Sequence, residues 1–113
     1  MLMLLTAQTT ERHGVEERRE LDELLSGVAA GDREALAQLY RRTRTAVYGL
    51  ALSYVKNAHD AQDVTQDTFV RVWDSAYQYK PQGSPMGWLL AVARNRALMK
   101  LRQGSRQEQL EDE

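Results

Sequence analysis

Apolar positions along this chain recur at intervals of three and four residues and nowhere alternate strictly, so the pattern predicts helices and no strands. Between residues 15 and 30, Leu21, Leu24, Leu25 and Val28 give a short amphipathic helix that ends at Gly31. Asp32 then caps a second helix, GDREALAQLYRRTRTAVYGLALSYV, along which Leu36, Leu39, Tyr40, Thr43, Val47, Leu50 and Tyr54 form one narrow stripe expected to be core. Lys56, Asn57 and Ala58 interrupt that pattern, and Asn57 or Asp60 can serve as the next N-cap. The third helix, DAQDVTQDTFVRVWDSAYQ, is expected to run to about Tyr77 and has two unlike faces. Ala61, Val64, Thr65, Thr68 and Val72 are small or β-branched and suit a close neighbour. Asp60, Asp63, Gln66, Asp67, Val70 and Asp74 form a carboxylate and amide stripe with one apolar residue set in it, bordered by Phe69 and Trp73.

The segment from Tyr79 to Met86 holds both prolines of the chain and reads as an ordered turn or short loop. Its end is well marked, because Ser84 followed by Pro85 is an N-cap followed by proline at the first helical position. The last helix, MGWLLAVARNRALMKLRQ, is expected to stop near Gly104. Leu90, Ala93, Ala97 and Leu101 form one apolar line on it, Trp88, Val92 and Met99 another, and periodicity does not say which line faces the core. Residues 1–14 read as a disordered tail, residues 15–103 as one helical domain, and residues 104–113 as the start of a linker or a frayed terminus.

Charge changes this picture more than composition does. The formal net charge is −1, yet after Asp74 no acid occurs until Glu108, while Lys80, Arg94, Arg96, Lys100, Arg102 and Arg106 fall in that interval. Acid concentrated on one helix and base on the next suggests two partners of opposite charge. Arg33, Arg41, Arg42 and Arg44 on the outer face of the second helix read more simply as a solubilising surface. Without cysteine there is neither a disulfide framework nor a thiolate metal site, which fits a reducing cytoplasm. No apolar run approaches the roughly 18 to 20 residues needed to cross a bilayer, and the opening MLMLL is too short and lacks the basic flank of a secretory signal. His59 with Asp60, Asp63 and Asp67 is the one conceivable metal cluster. With no nucleophile or phosphate-cradling glycine loop beside it, the sequence argues against an enzyme, and no cofactor is expected.

DAQDVTQDTFVRVW, followed after a short loop by GWLLAVARNRALMKLR, closely resembles region 2 of the extracytoplasmic-function (ECF) sigma factors of bacterial RNA polymerase, and the helix from Gly31 to Val55 fits the one that precedes these in that family. The resemblance implies an all-α bundle of about four helices of the sigma region 2 type. It implies a soluble cytoplasmic protein that does no covalent chemistry, brings core polymerase to promoters, and recognises and melts the −10 element. By resemblance, the helix bearing Asp60, Asp63, Gln66, Asp67, Val70, Trp73 and Asp74 docks on the clamp helices of the largest polymerase subunit. The loop resembles the specificity loop that captures a flipped base of the non-template strand, which places Tyr79, Lys80, Gln82, Ser84, Met86 and Trp88 among the DNA contacts. Tyr77, Tyr79 and Trp88 are aromatic surfaces available for stacking. The last helix resembles the −10 reading helix, with Asn95 where relatives carry an asparagine, with Arg94, Arg96, Lys100 and Arg102 facing phosphates, and with Met99 where relatives commonly carry an aspartate. An anti-sigma factor is a further expected partner. The chain ends where the family's linker to region 4 begins, so the resemblance implies either an excised domain of a longer sigma factor, the expected case, or a naturally short protein with half the promoter contacts. The competing reading is a helical module that binds polymerase or a regulator without reading DNA.

Overall fold

The helix starts marked by the sequence at Asp32, Asn57 and Ser84 are each closed by a polar side chain, and these closures set the course of the chain. The computed structural model describes the backbone of residues 2–81 and 83–112 and the side chains of residues 14–81 and 83–111. Helix α1 spans Leu2–Ala29, α2 Arg33–Val55, α3 Ala58–Ser75 and α4 Pro85–Asp112, with a 3-10 turn at Ala76–Gln78 between α3 and the loop.

Helix α1 terminates because Gly31 takes a left-handed φ of +88°. In that conformation the Asp32 N–H donates to the Gly27 carbonyl and the Gly31 N–H to the Val28 carbonyl, both at 2.9 Å, so two terminal acceptors are satisfied. Asp32 at once opens α2, its carboxylate accepting from the Glu34 and Ala35 amides at 3.0 and 3.3 Å. Asn57 opens α3 reciprocally: Oδ1 accepts from the Asp60 amide and Nδ2 donates to the Asp60 carboxylate, each at 2.8 Å. Ser84 Oγ accepts from the Gly87 amide at 3.0 Å, with Pro85 as the first residue of α4.

Helix α2 is central. Leu39, Val47 and Ala51 are fully buried, with α1, α3 and α4 arranged around them. One core cluster joins Leu21, Leu25 and Val28 of α1 to Phe69, Val72, Leu89 and Ala93, and a smaller one joins Ala51, Val55, Ala61, Val64 and Ala97. The small face expected on α3 is buried as a whole. Its threonines satisfy their hydroxyls locally, Thr65 donating to the Ala61 carbonyl at 2.8 Å and Thr68 to that of Val64 at 2.7 Å.

The structure differs from the sequence reading at several positions. Helix α1 begins at Leu2 rather than near Val15, and α4 continues past Gly104 to Asp112. Leu, Met and Ala in the first extension, and Gln, Glu and Arg in the second, favour helix whether or not they are packed, and residues 101–111 are exposed throughout. Tyr40, expected in the core, is 37% exposed, its ring meeting Phe69 edge-on at 5.0 Å. On α4 the buried line is Leu89, Ala93 and Ala97, while Leu101 projects into solvent.

Where α1 crosses α2, Gly27 lies against Ala35, and a Cβ at residue 27 would stand 2.8 Å from the Ala35 Cβ. Neither backbone can yield without moving a helix. Overpacking of this kind costs about 1–3 kcal/mol, partly offset by the ~1 kcal/mol that alanine gains over glycine within a helix. Gly27→Ala is therefore expected to lower stability by about 1 kcal/mol in urea titrations. Gly49→Ala, at a helical site with nothing near its added Cβ, should raise it by a similar amount.

Candidate functional site

The acidic stripe of α3 is not uniform. At its start Lys100, reaching across from α4, holds its ammonium 3.3 Å from Asp63 and 3.9 Å from Asp60, and His59 lies 3.7 Å from Asp63 on the other side. Further along, Gln66, Asp67, Val70 and Asp74 are exposed, and among the described residues Asp67 and Asp74 have no ion-pair partner. Val70 is 64% exposed in the middle of this row. Trp73 lies half-buried against the core cluster, so its ring both packs inward and borders the stripe. A solvated row of carboxylates around a bare valine has the chemistry of a docking face for a basic, partly apolar partner surface.

After α3, the 3-10 turn leaves Tyr77 72% exposed, and the chain enters the loop at Tyr79 in extended conformation. Tyr79 is a fastener. Its hydroxyl donates to Asp22 of α1 and lies 3.2 Å from the Gly83 carbonyl, while its ring is tilted against Trp88 with centroids 5.7 Å apart. Burial, then the hydrogen bond to Asp22 and the charge of that carboxylate, push the phenol up to about 12, against a lowering contribution from Arg18. Tyr79 thus remains a protonated donor through the physiological range. The loop is closed by the Gly83 amide donating to the Lys80 carbonyl at 3.1 Å. Lys80 is exposed, Ser84 is occupied as the cap of α4, and Met86 and Trp88 are half-buried against the core. Gln82 lies outside the described residues.

On α4 the side chains read as nucleic-acid contacts separate by environment. Asn95, Met99 and Arg102 are exposed and lie three and four residues apart, so they share one face. Arg94 is exposed, and its Nε donates to the Tyr54 hydroxyl of α2 at 3.2 Å. Arg96 is half-buried, and its Nε is buried without a partner among the described residues. Lys100 is held by the α3 carboxylates rather than standing free with the other bases. The basic helix and the acidic stripe, separate in sequence, are therefore joined in space at Lys100.

Sequence reasoning missed Asp22, which anchors the loop tyrosine from 57 residues away, and Tyr54, which orients Arg94 from 40 residues away. Neither has a local signature, because each contact joins different helices. Between α2 and α3 lies an open groove of about 400 Å³ bordered by Tyr40, Arg44, Tyr48, Gln62 and Gln66, with the Arg44 guanidinium 5.9 Å from the Tyr40 ring centroid. Its polar walls and wide mouth do not suit a buried small molecule. Among the described residues no helix is long and apolar enough to cross a membrane.

Comparison with known proteins bears on the family of the chain. A family model described as sigma-70 region 2 matches residues 39–107. The chain is 44% identical over 84 residues to the ECF RNA polymerase sigma factor SigK of Mycobacterium sp. (strain KMS), covering 74% of this chain and 44% of that protein. It is 34% identical over the same length to SigK of Mycobacterium tuberculosis (strain ATCC 25177 / H37Ra), covering 45% of that protein. The chain thus spans less than half the length of these curated relatives. Among solved structures, the NMR structure of an engineered region 2 of sigmaE in complex with GTAAAA matches with a TM-score of 0.72 at 26% identity, covering 77% of this chain and 90% of that one.

Proposed function

The chain belongs to the sigma-70 region 2 family, and from that premise we propose that it is the polymerase-docking and −10-reading domain of an ECF sigma factor. In this reading residues 15–103 form the working unit and residues 104–113 begin a linker. The exposed row of α3, with Asp60, Asp63, Gln66, Asp67, Val70, Trp73 and Asp74, seats on the clamp helices of the largest polymerase subunit. The loop and α4 hold the opened non-template strand of the −10 element. No bond is made or broken in the protein; a flipped base is stabilised by contacts that replace its lost stacking. The domain works in the cytoplasm, on the nucleoid, and an anti-sigma factor covering the same faces is the expected regulator.

One observation carries this reading. A row of acid with an exposed apolar residue and a face of Asn95 and arginines lie on two helices packed against each other, so one rigid unit offers surfaces to two partners of opposite charge. The Tyr79 fastening supports a loop held ready in shape, since its anchor on α1 is independent of both faces.

The test is fluorescence anisotropy with single-stranded oligonucleotides spanning −10-like sequences. Selective binding that weakens with salt is expected. Asn95→Ala should lower affinity for the preferred sequence about tenfold and flatten the preference, as loss of one good base contact does. Arg94→Gln should weaken all sequences alike and reduce the salt slope. Binding indifferent to sequence in the parent chain would overturn the DNA-reading half and leave a polymerase-binding module.

A further inference from the structure

Two exposed apolar side chains mark α3 and the turn that follows it, Val70 at 64% and Tyr77 at 72% exposure. They are seven residues apart, Val70 on α3 and Tyr77 in the middle of the 3-10 turn Ala76–Gln78 that directly follows it; seven residues of uninterrupted α-helix would bring two side chains back to within about 20° of each other. The same interval organises the rest of the face. Asp60, Asp67 and Asp74 repeat every seven residues, Asp63, Val70 and Tyr77 do so beside them, and Gln66 is followed seven residues on by Trp73. A seven-residue repeat keeps one face in step with a supercoiled pair of helices, whose own knobs and holes recur at that interval.

Resting on the docking reading above, we propose that Tyr77 is the distal anchor of the polymerase-docking face, which therefore extends past the end of α3 onto the 3-10 turn. Tyr77 is free for that role where Tyr79 and Trp88 are not. Its hydroxyl accepts from Gln78 Nε2 at 3.0 Å, while Tyr79 is fastened to Asp22 and Trp88 lies half-buried against the core. Asp74, one turn back along the same side, gives the flank of the tyrosine the charge that suits a basic partner helix. An exposed tyrosine offers a large rigid surface at small entropic cost, the property that makes this residue common among interface hot spots.

The experiment measures binding of the full 113-residue chain to a coiled-coil fragment carrying the polymerase clamp helices, and in parallel to a −10-like single strand. Tyr77→Ala is expected to weaken clamp-helix binding about tenfold and Tyr77→Phe only about twofold, with strand binding and the thermal melt unchanged. If Tyr77→Ala binds the clamp helices as the parent does while Asp67→Ala loses affinity, docking stands and the role of Tyr77 is refuted. Loss of strand binding with docking intact would make Tyr77 a base-stacking residue instead, which also refutes it. A parent chain that does not bind the clamp helices overturns the docking reading and this extension together.

Discussion

Asp67→Arg is expected to weaken binding to the clamp helices by about 100-fold or more while leaving the melting temperature where it was. Asp67 is exposed, lies in the middle of α3 and has no ion-pair partner among the described residues. Its replacement therefore removes nothing that holds the domain together. Against a basic partner, charge reversal forfeits an attraction and sets like charges face to face, which costs several kcal/mol where the contact is desolvated. Asp63 is a poorer probe, since removing its charge also releases Lys100 and loosens α4 from α3. Isothermal calorimetry against the clamp-helix fragment is the measurement. An affinity within about twofold of the parent would show that the acidic row is solvated surface.

The largest effect on stability is expected at Leu89. This side chain is 1% exposed, in the cluster that includes Leu39, Phe69 and Val72. Leu89→Ala removes its contacts and leaves a cavity, at a cost of about 3 kcal/mol. For a domain of this size that lowers the melting temperature by roughly 12 °C or more. Leu90→Ala, at a half-buried site, should cost about 1 kcal/mol, and Leu101→Ala less than about 0.5 kcal/mol. Urea titration of the three variants ranks the α4 positions by their share in the core. Equal losses at Leu89 and Leu101 would contradict the placement of α4.

This ranking also shows where sequence stops informing. Caps were legible because their chemistry is local: Asp32, Asn57, and Ser84 before Pro85 each act within three residues, and all three are used. The stripe of α3 was legible because a small β-branched face opposite a carboxylate row leaves little choice of orientation. Helix α4 was harder. Its apolar residues nearly encircle the axis, so periodicity offered two lines, and Leu89, a large side chain of α4 that is fully buried, belonged to neither. The end of α4 was misplaced because Gly104 reads as a stop signal, yet the Glu, Gln and Arg around it sustain helix across a single glycine. At the site, residue identity pointed to the acidic row and the basic helix, but not to the link between them. That Lys100 turns toward Asp63 while Arg94 turns toward Tyr54 depends on how α4 lies across its neighbours, and only the assembled bundle decides it.

Where α2, α3 and α4 converge, the residues in contact include Ala51, Ala61 and Ala97, each wholly buried. Alanine has no side-chain rotamers, and the two valines of the same cluster, Val55 and Val64, are stiff at χ1, so this junction has few alternative arrangements and loses little side-chain entropy on forming. Where the alanines meet, the helices come closer than larger side chains allow, leaving little slack in which one could roll over another. The bundle therefore behaves as a stiff yoke. If α3 docks on one partner as proposed, the angle at which α4 meets a second is already set, and the search for an opened strand would begin with its orientation largely solved.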